Sequence, residues 1–486
     1  MNRPVLDSPI ESGADTLEGP SSEAVPAPQP VALRELGGRL NGLSLPQQVW
    51  VLAAWPFLEH LLNFMVGMVD TTLAGRLSVE ATNAVSVASY VAWFMRLMQM
   101  AVAIGSTALI ARAIGGRHKR LANAAVGQSI VLAIIVGLVS TVLVFATAVP
   151  VGQFTRLEGE NLRLAVIYLN YMAVGALASS ILAVSTAVMK GAGDTKTPFW
   201  IMVVVNVVNT IVSMTMVWGP EPIGGWGVAG LAIGTVVAWT VGALVCLHVL
   251  LRGYGGVKLH LPRLRPHWHT IRRIVRVGMP NFFEALGMWS GNMLVLAVVG
   301  RLGAEGALAA WGAHMIAIRV EAVSFMPGFA VGTAAATLTG QYLGLGDPDR
   351  ARRAAKLCWF YGAAVMAVLG IVFITIPEPL VRIVTNKPEL LAAAPPLVRI
   401  IGPVQVFLGT YMILAQALRG AGDTRSTMFI TYASVFLIRL PAAYALGILL
   451  GWGLNGVWIA MASELVIRGC LFAGRFLHGG WTKAQV

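Results

Sequence analysis

The sequence Met189-Lys-Gly-Ala-Gly-Asp-Thr-Lys-Thr-Pro198 returns in the second half of the chain as Leu418-Arg-Gly-Ala-Gly-Asp-Thr-Arg-Ser-Thr427. Each copy lies between two long apolar stretches, and the two aspartates are 229 positions apart (423 minus 194) in a chain of 486 residues. The motif therefore indicates that the chain consists of two similar halves. Internal repeats of this kind are typical of membrane transporters built around a central site.

Further matches keep the two halves in register. Gly75-Arg-Leu-Ser-Val-Glu80 corresponds to Gly300-Arg-Leu-Gly-Ala-Glu305 at an offset of 225, and Gly225-Trp-Gly227 corresponds to Gly451-Trp-Gly453 at an offset of 226. Each half therefore holds the same elements in the same order. Because each half contains an even number of predicted spans, six, the halves have the same orientation in the bilayer and are parallel repeats.

The composition predicts an integral membrane protein. Hydrophobic residues make up 57% of the chain and charged residues 12%, and the mean hydropathy is +0.73. The chain is more apolar and carries fewer charges than a soluble protein of this length. The predicted fold is all-α and polytopic, with two six-helix bundles around a central cleft. Hydropathy places the twelve helices near residues 48–74, 83–111, 124–149, 165–189, 197–218, 227–251, 277–299, 308–340, 355–377, 393–417, 427–449 and 455–474.

The net charge of +13 has a topological explanation. With the N-terminus inside, most of the 35 Lys and Arg residues fall in the inner loops and tails, which is the positive-inside bias. A nucleic-acid-binding role would need these charges gathered on a folded domain, and no loop is long enough to form one. The pattern predicts a multi-pass protein of the plasma membrane, the inner membrane in a bacterium, with both termini cytoplasmic.

The predicted parts are a disordered cytoplasmic tail at 1–46, a first lobe at 47–251, a basic cytoplasmic linker at 252–276, a second lobe at 277–475 and a tail at 476–486. The first tail is rich in acids, Pro, Ser and Gly and has no apolar core typical of a signal peptide. The end of the linker, 267–276, suits an anionic membrane surface and equally suits a solvated loop. The three cysteines lie far apart in apolar segments, so we expect neither disulfides nor metal ligands.

From about residue 47 to 475 the chain resembles the multidrug and toxic compound extrusion (MATE) family. The resemblance rests on the two Gly-Ala-Gly-Asp-Thr turns and on three further phrases in the same order along twelve predicted helices. These phrases are Val69-Asp-Thr-Thr-Leu-Ala-Gly-Arg-Leu77, Pro327-Gly-Phe-Ala-Val-Gly332 and Gly340-Gln-Tyr-Leu-Gly344.

The resemblance implies an exporter of small organic, often cationic and amphipathic, compounds in exchange for protons or sodium ions. It implies no cofactor other than the coupling ion, contact with membrane lipids, and a monomer. An alternative in the same superfamily is a flippase for a lipid-linked sugar, although twelve helices and the doubled turns weigh against it. An intramembrane enzyme would need a catalytic constellation in adjacent helices, and the sequence offers none.

Five acids fall inside predicted spans, where an ionisable group costs roughly 2.5–3.5 kcal/mol and needs a partner, water or a proton. They are Glu59, Asp70, Glu284, Glu321 and Glu464. The resemblance makes Asp70 the coupling carboxylate, and desolvation would help it alternate between a proton and a cation. The competing interpretation is a helix-end aspartate that faces water, because Gly75 follows closely.

Glu59 and Glu284 are equivalent by the repeat (59 plus 225 is 284) and are predicted to line the cleft from both lobes. A structural role in helix packing is equally open. Many cation exporters of the family carry the glutamate of helix seven where this chain has Met288, and some carry another in helix ten, which here is acid-free from 404 to 417. Transfer of a cation site in the second lobe is therefore in doubt.

Arg96 and Glu321 are also separated by 225 residues and have opposite charges. We expect an ion pair between the lobes that favours one access state. Asn206 and Asn209 in helix five are predicted either to hydrogen-bond near Asp70 or to hold helices together.

The repeated turns favour a structural role. Asp194 and Asp423 are predicted to cap helices five and eleven, and Gly193 and Gly422 to allow tight reversals after helices four and ten.

Overall fold

The protein was analysed as a computed structural model, which describes residues 36–154, 158–220, 224–253, 256–302 and 307–484. Every regular element in these ranges is helical. The helices of the first half are α1 (Leu45–Leu77), α2 (Val79–Gly115), α3 (Lys119–Phe154), α4 (Gly159–Gly191), α5 (Lys196–Trp218) and α6 (Gly227–Arg252). Of the disordered tail predicted at 1–46, residues 1–35 lie outside the described residues. The prediction is wrong for the rest, because Gly38–Leu40 form a short 3-10 turn, Leu36 and Leu40 are buried, and α1 begins at Leu45.

The second half repeats this order with more interruptions. Its helices are α7 (Trp268–Val299), α8 (Ala307–Gly344), α9 (Pro348–Thr375), α10 (Pro377–Val384), α11 (Pro388–Ile401), α12 (Gln405–Ala421), α13 (Thr424–Tyr432), α14 (Leu440–Tyr444) and α15 (Gly453–His478). Most helices run several residues beyond the predicted bounds, because hydropathy detects only the apolar part of a helix.

The tenth span is broken, which the sequence analysis did not predict. Helices α11 and α12 meet at an angle of 59° around Gly402 and Pro403. Proline has no amide hydrogen to donate to the preceding turn, so the helical hydrogen-bond ladder is interrupted at Pro403. The single helix predicted at 393–417 is therefore wrong and is corrected to two helices.

The eleventh span contains two π-helical segments, Ala433–Arg439 and Ala445–Leu449, on either side of α14. Such wider turns are rare and are often found at functional sites. Here the first segment ends on Arg439, whose side chain belongs to a buried charged network described below. The span still runs without a break in the apolar stretch Thr424–Leu449.

The chain is a polytopic membrane protein of twelve spans in two six-helix lobes around a central cleft. In the described residues, ten helices are long and apolar enough to cross a bilayer, and the bent pair α11 and α12 makes an eleventh. The twelfth is α1, whose 33 residues include positions near its end with undescribed side chains. Exposed large apolar residues such as Val142 (69% exposed) cover the outer surface, as expected in contact with lipid.

The lobes meet along α1, α2, α7 and α8. Helix α2 packs against both α7 and α8, and α1 packs against α8. We call the end of the bundle that carries the turns at 192–195, 345–347 and 422–423 the linker end, because the linker begins there after α6. The domain boundaries of the sequence analysis stay a prediction.

At the linker end the lobes are in close contact. Gly115 of α2 approaches α8 so closely that an added Cβ would lie 1.8 Å from the backbone oxygen of Gln341. Gly340 is its repeat equivalent, and a Cβ there would lie 2.7 Å from the Cβ of Ala111. Tyr342 of α8 also donates a 2.8 Å hydrogen bond to Gln48 of α1. Small residues at equivalent positions thus let the two helices cross, and the linker end is closed in this structure.

Candidate functional site

Each lobe contains a buried carboxylate paired with a cation. In the first lobe Lys190 Nζ lies 2.8 Å from Glu59 Oε1, and in the second Arg419 Nη2 lies 2.8 Å from Glu284 Oε1. Glu59 and Glu284 are 7% and 2% exposed. The carboxylates come from α1 and α7 and the cations from the last turns of α4 and α12.

The two ion pairs are related by the internal repeat. Glu59 and Glu284 are 225 residues apart, and Lys190 and Arg419 are 229 apart (419 minus 190). These are the offsets of the first and fourth predicted helices of each lobe. The two pairs therefore occupy equivalent places in the two lobes, and we call them the twin ion pairs.

The second-lobe pair has more partners than the first. The hydroxyls of Thr427 and Thr431 on α13 each donate a 2.8 Å hydrogen bond to Glu284. Glu59 receives a hydrogen bond from Lys190 on Oε1, whereas its buried Oε2 has no partner among the described residues. An orphaned carboxylate oxygen is costly in an apolar environment. Of the two acids, Glu59 is therefore the one whose second carboxylate oxygen could bind a proton or a cation.

A small cavity of about 140 Å³ lies between the lobes beside these pairs. Lys190 lines it from the first lobe and Arg419 from the second, and Thr107 and Thr333 add hydroxyls from α2 and α8. The backbone oxygen of Lys190 also accepts a 3.0 Å hydrogen bond from Thr337 of α8. The same residue thus holds an acid of its own lobe, lines the cavity and contacts the opposite lobe.

A second charged network occurs in the second lobe. Glu464 on α15 accepts hydrogen bonds from Arg439 at 2.7 Å and from Arg468 at 2.6 Å, and its side chain is fully buried. Arg439 also donates to Asn292 at 2.9 Å. Met288, at the position of the displaced family glutamate, has its sulfur 3.7 Å from Arg468 Nη1. A thioether beside an arginine is a weak acceptor, so Met288 offers no site for a cation here.

Arg96 and Glu321 do not form the expected ion pair in this structure. Arg96 is solvent-exposed. Glu321 is 6% exposed, and its carboxylate forms no ion pair with any described residue. The correction has a geometric cause, since equal depth in two repeats does not set the direction in which each side chain points.

Asn206 and Asn209 are buried on α5. Asn209 donates a 3.2 Å hydrogen bond to Thr235 on α6, whereas the amide nitrogen of Asn206 has no partner among the described residues. Asp70 falls within α1, but its side chain lies outside the described residues. The coupling role of Asp70 and the expected hydrogen bonds of Asn206 and Asn209 near it stay predictions.

The repeated turns have the predicted glycine geometry, and their caps differ from the prediction in detail. Gly193 and Gly422 have φ angles of 91° and 92°, the left-handed region that favours glycine. The N-cap position of α5 is Thr195, and Asp194 lies one residue before it, where it accepts a 3.1 Å hydrogen bond from the backbone amide of Thr197. Asp423 stands at the cap position of α13, but its described hydrogen bonds come from side chains, Ser426 at 2.7 Å and Arg475 at 2.9 Å.

The sequence analysis missed Lys190 and Arg419 as site residues. Both precede the Gly-Ala-Gly-Asp-Thr motif directly, so the repeated phrase already contained a repeated cation. They could have been found because a cation occurs at the same place in both repeats, as the buried acid does, so that each lobe has one acid and one cation at equivalent positions. The network of Arg439, Glu464 and Arg468 has no such signal, because the first lobe has no charged equivalents, only Ala238 and Gly242 at an offset of 226.

Parallel six-helix repeats around a central cleft, with a buried ion pair in each repeat, are typical of a membrane transporter. In the described residues no three His, Cys, Asp or Glu side chains are grouped to hold a metal ion. The MatE family model matches residues 57–215 and 280–445, once in each lobe. The chain belongs to this family of multidrug and toxic compound extrusion transporters.

Individual relatives agree. The chain is 32% identical over 428 residues to the probable multidrug resistance protein NorM of Thermotoga maritima, covering 88% of this chain and 91% of that protein. It is 27% identical over 437 residues to the multidrug resistance protein MdtK of Yersinia enterocolitica, covering 88% and 93%. A solved structure of a multidrug resistance MATE family transporter of the MOP superfamily, in an outward-facing conformation, matches with a TM-score of 0.85 at 18% identity over 91% of this chain and 98% of that one.

Proposed function

We propose that this multidrug efflux transporter is an antiporter that exports organic cations in exchange for protons or sodium ions. Membership of the family and its multidrug-resistance relatives support the export of organic compounds. The observation that carries the coupling is the pair of buried acids, one in each lobe, whose cationic partners line a cavity between the lobes.

Ion binding at such an acid can be converted into movement of the lobes. Lys190 is held at the lobe interface by its contact with Thr337 and within its lobe by Glu59. A proton or sodium ion on Glu59 would remove the negative charge that attracts Lys190, and the last turn of α4 would lose one of its anchors. A ligand shifts a conformational equilibrium only by binding the two states differently. In this proposal the ion binds Glu59 differently in the two states, because Glu59 is paired with Lys190 when the linker end is closed.

Asp70 remains the first candidate for the acid reached from the end opposite the linker. In the proposed cycle Asp70 takes up a proton or sodium ion there, the substrate leaves, the lobes rock to open the linker end, and the ion departs as new substrate binds. In this cycle a proton or ion that reaches Glu59 weakens its pair with Lys190 and so loosens the contact of Lys190 with Thr337 at the linker end. The positive-inside bias places the linker end and both termini in the cytoplasm, in a bacterium on the inner face of the inner membrane.

The decisive experiment uses proteoliposomes that contain a fluorescent organic cation. Proton and sodium gradients are imposed separately, and dye movement is recorded for the wild type, Asp70→Asn, Glu59→Gln and an exposed control, Glu160→Gln. We expect one gradient to drive transport, Asp70→Asn to abolish the gradient-driven part, and the control to match the wild type. Unchanged gradient-driven transport by Asp70→Asn would refute the role of Asp70, and dye movement that ignores both gradients would refute antiport.

A further inference from the structure

We propose that the linker end of the first lobe holds a binding site for the headgroup of an anionic phospholipid. The site is a surface cavity of about 400 Å³ that we call the headgroup pocket. Its walls include Arg39, Trp55, Lys196, Thr197 and Trp200. The volume lies within the range of about 300–1,000 Å³ that small-ligand sites have.

Three segments of the chain build the headgroup pocket. Arg39 belongs to the short turn Gly38–Leu40 that precedes α1, Trp55 lies on α1, and Lys196 and Trp200 lie on the first two turns of α5. The hydroxyl of Thr195 ties α5 to α1 through a 3.1 Å hydrogen bond to the backbone oxygen of Val51. The walls are thus fixed relative to one another before a ligand binds.

The charge that the headgroup pocket presents is positive. Lys196 is exposed, and its ammonium lies 5.5 Å from the centre of the Trp55 ring, which orients it across the pocket. Arg39 is 39% exposed and lies 2.6 Å from Asp194, whose carboxylate is almost fully buried. Both oxygens of Asp194 are occupied, by Arg39 and by Thr197. Among the described residues, an incoming anion therefore meets Lys196 and the exposed part of Arg39, which is paired with Asp194, and no accessible carboxylate.

The position of the headgroup pocket indicates a lipid as the source of that anion. Helix α5 enters its apolar span directly from the pocket, and Trp200, 53% exposed, stands at this boundary as interfacial tryptophans do. From Trp200 the exposed apolar residues Val204, Val207 and Ile211 follow along the same helix at spacings of four, three and four. Acyl chains can lie on this stripe while a phosphate occupies the pocket, an arrangement that a free phosphate ion could not use.

The lobes provide a matched control for this site. The residue of the second lobe equivalent to Lys196 is Arg425, by the offset of 229 that relates the two turns. Arg425 is exposed and basic but does not line the headgroup pocket. A general attraction of the basic face to anionic lipid would involve both residues, whereas the proposed site involves Lys196.

The test measures lipid binding to the full chain in a neutral detergent. Thermal unfolding and native mass spectrometry are recorded with added phosphatidylglycerol, phosphatidylcholine or inorganic phosphate. We expect phosphatidylglycerol to raise the midpoint and to remain bound, with little effect of the other two. Lys196→Glu should weaken phosphatidylglycerol binding roughly tenfold or more, because charge reversal near the membrane removes two units of attraction, and Arg425→Glu should retain it.

Three outcomes would overturn the proposal. Equal responses to phosphatidylglycerol and phosphatidylcholine would mean that the headgroup charge is not recognised, and an equal response to inorganic phosphate would mean a free-anion site. Equal losses in Lys196→Glu and Arg425→Glu would mean general surface attraction. If Lys196→Glu folds poorly, Lys196→Gln removes the charge with a similar chain length, and Trp200→Ala tests the aromatic wall without changing charge.

Discussion

Removing the cation of the second-lobe ion pair is the most direct test of the twin ion pairs. In Arg419→Met the carboxylate of Glu284 stays in place with a side chain 3% exposed, but its ionic partner is gone. Methionine fills a comparable space with apolar atoms, so the change removes charge more than volume. The expected result is a marked loss of stability.

The size of the loss follows from the partners that remain. Breaking a buried ion pair by removing one member costs about 3–5 kcal/mol, because a charge is left without compensation. Glu284 keeps two hydroxyl hydrogen bonds of 2.8 Å each, from Thr427 and Thr431. Hydrogen bonds to a charged group contribute about 1.5–3 kcal/mol each, so these two bonds still stabilise part of the charge on the unpaired carboxylate. We therefore expect the lower limit, about 3 kcal/mol.

The double variant Glu284→Gln with Arg419→Met separates charge from packing. The neutral amide can accept from one threonine hydroxyl through its single oxygen and donate through its nitrogen to the other hydroxyl. Most of the lost stability should therefore return, to within about 1 kcal/mol of the wild type. Lys190→Met is the internal comparison. Its pair with Glu59 is more exposed, with side-chain values of 17% and 9%, so its loss should be smaller.

Thermal unfolding of purified protein in detergent, followed by intrinsic tryptophan fluorescence, gives the measurement. For a chain of this length we expect Arg419→Met to lower the midpoint by roughly 3–6 °C, a shift scaled down from smaller domains. If Arg419→Met is as stable as the wild type, or the double variant is no better than the single, the ion pair does not stabilise the lobe and the reasoning fails.

Two further predictions concern other contacts. Gly115→Ala places a Cβ against the backbone of Gln341 at the linker end, so we expect the lobes to separate there at a cost of about 1–3 kcal/mol. The separation should be detected as faster labelling of a cysteine introduced at that interface. Gly474→Ala should leave the labelling rate unchanged, because its added Cβ meets nothing within 4 Å. Labelling that is equal in both variants would contradict the closed interface. Glu464→Gln replaces the carboxylate that two buried arginines share with a neutral amide, so we expect a stability loss of about 3 kcal/mol or more. A loss below that of Glu378→Gln, an exposed pair, would contradict the network.

Part of the candidate site could be predicted because the repeat acts as an internal alignment. It identified Glu59 and Glu284 as equivalent, and the structure places both against equivalent cations. The same arithmetic applied to Arg96 and Glu321 did not give a contact. A repeat offset predicts the depth of a residue along its helix, but the direction of the side chain depends on how the lobe rotates that helix in its packing.

The sequence by itself determined membrane insertion, the parallel duplication and the family, because each depends on local composition or on motifs read along the chain. It also determined the conformation of the repeated turns, since glycine at a left-handed position and an acid at a helix start act within a few residues. Only the tertiary structure decided that Lys190 and Arg419 neutralise the buried acids and that Arg439 reaches Glu464. These contacts join residues 131, 135 and 25 positions apart, and packing between helices, which sequence periodicity does not encode, brings them together.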